Sequence, residues 1–359
     1  MGMKNFFIAF LLILGIADGM AQDKKSVQEK MKVLDQYLEY AVVNNGFSGQ
    51  LLVASDDHIW IDQGYGYADR ANKIEINNKT VFDIGEVADQ FTVTALLKLE
   101  EEGKLSLVDN ITKFFNYVPD DKVNITIHQL ITHTSGLPLK LGGDYEVITR
   151  SKMISNAMST PLLFSPGQKF SYSKAGYNLL AAIIEIVSED SYEVYLNDEM
   201  FEEAGMSQTG YTIPKFSDKN IAVGYAGEYK WGKPSDHVLG NGPSWYAKGH
   251  SGFLSNVGDL YSWYTAVHGE HIIGPDNVYR LFLPQVDIND EKSSVYCYGW
   301  VASRSNHGGN VLISEGNNKI FDTKYNMYLD SGIVIILITN AYNDSIDEIF
   351  DKIEQHVFN

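Results

Sequence analysis

Apolar residues change their spacing several times along the chain, and each change predicts an element. Between residues 22 and 45, Met31, Leu34, Leu38 and Val42 recur every three to four positions, the period that lays one stripe of a helix on a core. Two strand-like runs follow, at 49–55 and 58–67, with Asp56-Asp57 between them as a tight turn. Phe91, Ala95, Leu96 and Leu99 form one face of a long helix over 86–103, which Gly103 stops. From 125 to 270 the pattern is mostly helical, broken by Gly- and Pro-rich loops and strongest at 175–188. Strand character returns at 295–303, 318–329 and 332–339, before a last helix at about 345–357. Strands at both ends and helices in the middle predict an α/β (α+β) fold in which the two termini build one sheet and a helical lobe is inserted. The sheet lobe takes about 30–85 and 290–359, and the helical lobe about 86–289.

Composition narrows the function. With 359 residues the chain can bury a substantial core, and 44% apolar with 21% charged residues is ordinary for a globular protein. A net charge of −18 argues against a groove that tracks phosphates, so nucleic acid is not an expected partner. At the N-terminus, Lys4, the apolar run from Phe6 to Ile16 and the small residues of Gly19-Met20-Ala21 read as a secretory signal over 1–21, cut after Ala21. The protein is expected in the periplasm or outside the cell. The single cysteine, Cys297, forms no internal disulfide and reads as a buried small hydrophobe. No cysteine follows the signal to carry a lipid, so no membrane anchor is expected.

A series of ordered segments goes further. Phe82-Asp83-Ile84-Gly85 leads into Gln90-Phe91-Thr92, and Glu101-Glu102-Gly103-Lys104-Leu105 follows. Ile127-His128-Gln129-Leu130-Ile131-Thr132-His133-Thr134-Ser135-Gly136-Leu137 comes next, then Phe164-Ser165-Pro166-Gly167 and Ala175-Gly176-Tyr177-Asn178. Ser251-Gly252-Phe253-Leu254-Ser255, Tyr298-Gly299-Trp300 and Leu337-Ile338-Thr339-Asn340 complete the set. Over roughly residues 30–345 the chain resembles the serine β-lactamase-related group, which includes class C β-lactamases, penicillin-binding D,D-peptidases and esterases. The resemblance implies an antiparallel sheet flanked by helices, a helical lobe, and a site between the two. In that resemblance His133 is structural.

The same resemblance implies three catalytic motifs, and this chain departs from each. The first is Ser-x-x-Lys at the start of the long helix, where the serine attacks and the lysine helps to take its proton. Here those positions are Glu86 and Asp89. Two carboxylates offer no neutral oxygen nucleophile and no basic amine. The second motif, Tyr-x-Asn, reads Tyr172-Ser173-Lys174, and Lys174 is placed to compensate a carboxylate. The third, a cation followed by Thr or Ser and Gly, falls by spacing on Ser314-Glu315-Gly316, or else on His307-Gly308-Gly309. The oxyanion hole would use the backbone N–H groups of Glu86 and Asn317, and the Glu86 side chain itself is a candidate to occupy it.

Three readings follow. The first is a non-acylating pseudoenzyme that binds a small-molecule, peptide or glycan ligand in the cleft. The second is a hydrolase with repurposed, glycosidase-like carboxylate chemistry, in which Glu86, Asp89 and Glu315 cluster and Tyr225, Tyr229, Trp231, Trp245 and Tyr246 supply stacking surfaces. The third is an active serine hydrolase with a relocated nucleophile in Ser171-Tyr172-Ser173-Lys174, the chain's one Ser-x-x-Lys. The paired acids could hold a divalent cation, but no metal motif stands out and no cofactor is called for.

Overall fold

The computed structural model of the protein describes residues 26–359, apart from 56–57, 238–241, 290, 292 and 343–344. The expected signal over 1–21 and the Asp56-Asp57 turn lie outside the described residues.

The framework is an eight-stranded antiparallel sheet made from both ends of the chain. Its strands are β1 (Gly49–Ser55), β2 (His58–Tyr65), β3 (Val286–Asp287), β4 (Val295–Tyr296), β5 (Val301–Arg304), β6 (Asn310–Asn317), β7 (Asp322–Tyr328) and β8 (Ile333–Thr339). Their order across the sheet is β2-β1-β8-β7-β6-β5-β4-β3. Strand β8 lies inside the sheet, with β1 on one side and β7 on the other. Its seven residues are all buried, because both faces are covered. Ile333, Ile335 and Leu337 face one helical layer with Leu34, Leu38, Ile349 and Ile353. Val334, Ile336 and Ile338 face the main core with Phe91 and Trp263. Each of these side chains contributes about 1.5–3 kcal/mol by leaving water.

The first helical layer is α1 (residues 26–45) with α5 (Ile346–Phe358). On the other side lie α2 (Asp89–Glu101) and α3 (Lys174–Ser188), which pack on each other, and α4 (Val257–His268). Helix α3 starts where Ser173 turns its side chain back to accept from the Gly176 N–H at 3.1 Å. It is buried from Ala175 to Ile184, which is why its apolar signal was the strongest in the helical region. Helix α4 packs on β1 and β8, and Tyr325 of β7 donates its hydroxyl to the Leu260 carbonyl, so this part of the 86–289 segment lies against the sheet.

Some boundaries differ from the sequence pattern. The run at 295–303 is two short strands, because Cys297 N–H donates to the Trp300 carbonyl and turns the chain. The run at 318–329 begins with a turn, in which the Asn318 side chain accepts from the N–H groups of Ile320 and Phe321. The long helix expected from 86 opens as a 3-10 turn over Gly85–Ala88 before α2 begins. Small strands at Gly224–Ala226 and Tyr229–Gly232 interrupt the largely helical middle.

Candidate functional site

The turn that carries Glu86 is pressed against strand β6 backbone to backbone. Gly85 has φ +54, and a Cβ there would lie 2.9 Å from the Gly316 Cα. A Cβ on Gly316 would lie 2.1 Å from the Ile84 carbonyl oxygen. Only glycine fits at either place, and this contact sets Glu86 beside the next residue of the strand, Asn317.

The Glu86 carboxylate bridges the cleft. One oxygen accepts from the Asn317 backbone N–H at 3.1 Å, and the other accepts from the Lys174 ammonium at the start of α3. The two side chains are only 15% and 13% exposed, so this is a largely desolvated pair. Burial works against the charge on Lys174, but the Glu86 carboxylate outweighs it and raises the lysine pKa. Lys174 is therefore a fixed cation rather than a base.

Asp89 lies one turn further along and is almost fully buried. Tyr172 donates its hydroxyl to Asp89 Oδ2 at 2.6 Å, and among the described residues Oδ1 has no hydrogen-bond partner. Burial, reinforced by Glu86, lifts the Asp89 pKa well above the ordinary carboxylate value, against the pull of Tyr172 and Lys174. A carboxylic acid in this setting is held neutral more readily than ionised.

Beneath Tyr172 lies a hydrogen-bond chain whose directions can be assigned. Ser173 N–H donates to His133 Nδ1 at 3.1 Å, which leaves Nε2 to carry the proton and donate to the Tyr296 hydroxyl at 2.9 Å. Tyr177 donates to the Ile131 carbonyl, so the Tyr296 hydroxyl donates to that of Tyr177 at 3.1 Å. Burial pushes the His133 pKa down to about 3, so the ring is neutral. His133 supports Tyr172 from below, with ring centroids 4.2 Å apart.

The Glu86–Lys174 bridge separates two hollows, and both residues line each of them. One hollow is acidic, with Asp83, Asp144, Tyr145, Glu146 and His237 in its wall. There Asp83 accepts from Gly85 N–H and from the Asn318 side chain, and burial lifts its pKa to about 6. The other hollow mixes the aromatic residues Phe170, Tyr172, Tyr296 and Trp300 with Asp89, with aliphatic Ile288 and Val301, and with the β6 residues Ser314, Glu315 and Asn317.

The four residues Glu86, Asp89, Tyr172 and Lys174 thus come together, and Asn317 joins them through its backbone. The remaining expectations divide. Ser314 is on the cleft side of β6, where it accepts from the Gln90 side chain at 3.1 Å. Glu315 follows the pleat to the other face and pairs with Lys324 at 3.2 Å, so a cluster of three carboxylates does not form. His307 stacks on Phe358 of α5 with centroids 4.7 Å apart and faces Glu354, on the far side of the sheet from Ser314. The strand position beside Glu86 is therefore Ser314-Glu315-Gly316. Ser171 lies ahead of α3 rather than within it, and Lys174 is engaged with Glu86, so no serine–lysine pair is built there. The loop aromatics are used elsewhere: Tyr225 lies under Arg70, Trp245 under Lys248, and Tyr246 is buried against Asn156. Trp231 stacks on His237, and Tyr229 is exposed. Cys297 is buried, and its thiol pKa rises to about 11. Among the described residues no group of three or more His, Cys, Asp or Glu is arranged to hold a metal ion, and no helix is long and apolar enough to cross a membrane.

Several lining residues escaped the sequence reading. Gln90 joins Ser314 to the Trp263 indole, and a glutamine within an apolar helix face was the available signal. Phe170, Tyr296, Asp144 and Tyr145 have no signal of their own, since only folding brings them to the cleft.

Comparison with known proteins agrees with this architecture. The sequence profile of the family described as beta-lactamase matches residues 34–355. The chain belongs to the beta-lactamase family. Within it, the chain is 29% identical over 338 residues to the putative penicillin-binding protein PbpX of Bacillus subtilis (strain 168), covering 92% of this chain and 81% of that one. A solved penicillin binding protein from Bacillus halodurans superposes with a TM-score of 0.76 at 23% identity, covering 89% of this chain and 99% of that one. The D-amino acid amidase of Ochrobactrum anthropi SV3 gives 0.72 at 19% identity, covering 90% and 98%. At these identities the two structures establish the shared fold, a mixed sheet-and-helix architecture of the penicillin-binding type.

Proposed function

We propose that this beta-lactamase family member does not acylate, and that it uses the cleft between sheet and helical lobe to bind a small-molecule, peptide or glycan ligand. One observation carries the reading. The Glu86 carboxylate accepts from Asn317 N–H and from Lys174, the place an acyl oxygen would need, and it brings negative charge to it. A transition state that gathers charge on oxygen gains nothing from a site already holding a carboxylate. Lys174 is ion-paired and Asp89 favours its neutral form, so neither supplies the base of a Ser-Lys mechanism.

The repurposed-carboxylate reading draws on one feature, the pair Glu86 and Asp89 in one cleft with Asp89 shifted strongly upward. Against it, Asp89 is almost fully buried with one oxygen engaged by Tyr172, and Glu86 is spoken for by two donors. Turnover of a glycan panel that is lost in Glu86→Gln and Asp89→Asn would favour it over binding alone. The main test is labelling: the mature protein should take no label from a fluorescent penicillin or a fluorophosphonate, and stoichiometric labelling would exclude the proposal. Export through a leader over residues 1–21 is part of the same reading, and the N-terminal sequence of the exported protein, expected to start at Gln22, tests it.

A further inference from the structure

Glu86 stands where a bound ligand's oxygens would stand. Its carboxylate joins a backbone donor on β6 to an ammonium on α3, the two walls of the cleft, and both hollows border it. We propose that Glu86 is a tethered stand-in for a ligand carboxylate: in the ligand-binding form it has swung aside, and the carboxylate of an organic acid lies between Asn317 N–H and Lys174, with its apolar body against Phe170, Tyr172, Tyr296 and Trp300. This inference rests on the non-acylating reading and names the ligand class of the same site.

The donor set selects the class. Asn317 N–H and Lys174 both donate, so the group between them is an acceptor. When Glu86 leaves, Lys174 becomes an unpaired cation whose side chain is only 13% exposed, and a neutral amide does not restore that charge balance. Asp89 does not take over, because burial favours its neutral form. The walls then select the direction. Asp83, Asp144 and Glu146 line one hollow and repel an anionic ligand, whereas the other sets aromatic faces beside its two acids, Asp89, whose charge burial disfavours, and Glu315, whose carboxylate pairs with Lys324.

The tether makes the closed state competitive. A group on a short linker presents an effective concentration of about millimolar or more, and a ligand that must displace it binds more weakly by the fraction of time the site is open. If Glu86 is docked for about 90–99% of the time, its removal tightens a competing carboxylate by about 10–100-fold.

The test uses phenylacetate, phenylacetamide and phenethylamine as probes, measured by titration calorimetry or ligand-detected NMR on wild type, Glu86→Ala, Glu86→Gln and Glu86→Ala/Lys174→Met. Phenylacetate should bind Glu86→Ala at least about tenfold more tightly than wild type, the lower end of the open-fraction range. Phenylacetamide and phenethylamine should gain much less, and the phenylacetate gain should vanish with Lys174→Met. If Glu86→Ala does not fold, Glu86→Gln, which keeps the shape without the charge, must show the gain. Equal gains for acid and amide, a gain for the amine instead, or no gain in folded Glu86→Ala (in Glu86→Gln, should Glu86→Ala not fold) would each overturn the inference. Those results would leave the absence of penicillin labelling untouched, whereas labelling of the wild type would defeat the non-acylating reading whatever phenylacetate does.

Discussion

Replacing Lys174 by methionine removes the cation of the Glu86 pair while keeping most of the side chain's apolar length. Both partners are nearly closed off from solvent, at 13% and 15% exposure, so water cannot readily replace the lost ammonium. Breaking a buried pair from one side costs about 3–5 kcal/mol, chiefly because the other charge is left unpaired. Glu86 keeps the Asn317 N–H and some solvent, which brings the expectation to about 2–4 kcal/mol. At about 2 °C per kcal/mol for a chain of this size, the melting temperature should fall by about 4–8 °C. Urea unfolding of wild type, Lys174→Met, Glu86→Gln and the double variant closes a double-mutant cycle. The double variant should be more stable than Lys174→Met alone, because it no longer strands a charge. Additive costs, or a Lys174→Met within about 0.5 kcal/mol of wild type, would refute the desolvated bridge.

Three further outcomes follow from the geometry. Asp89 has a raised folded-state pKa, so whatever it contributes to stability is present at acid pH and is lost as the pH rises above the ordinary aspartate range. Asp89→Asn, which does not titrate, should therefore gain on wild type in urea unfolding as the pH is raised above the ordinary aspartate range, and a pH-independent difference would contradict the assignment. The Asp83 carboxyl should titrate with a midpoint of about 6 by carbon-detected NMR, and an ordinary aspartate midpoint would show that it is not sealed beneath the turn. Gly316→Ala places a Cβ 2.1 Å from the Ile84 carbonyl and should cost about 1–3 kcal/mol or more in urea unfolding, while unchanged stability would mean that the turn and β6 do not touch.

The parts legible in the sequence are those where neighbours along the chain decide the outcome. The continuous apolar run of β8 announces a strand covered on both faces, and the buried stripe of α3 announces a core helix. Glu86, Asp89, Tyr172 and Lys174 could be placed together because the segments around them are spaced as in the family. What sequence spacing does not encode is the choice of partner across the cleft. Glu86 reaches an N–H more than two hundred residues away, and that contact depends on two glycines, at 85 and 316, that let turn and strand meet. The pleat that sends Glu315 to Lys324 instead of toward Glu86 is set by the pairing of β6 with β7. The break at Cys297–Trp300 was hidden by an aromatic run that suits a strand and a packed turn equally well.

Intact-mass spectrometry of the purified protein after prolonged exposure to excess benzylpenicillin, and separately to an activated ester, tests the central claim most directly. With the Glu86 carboxylate holding Asn317 N–H and Lys174, the account predicts a single species of unchanged mass in both cases. A species heavier by one acyl group, mapped by fragmentation to any serine, threonine or tyrosine of the cleft, would contradict it.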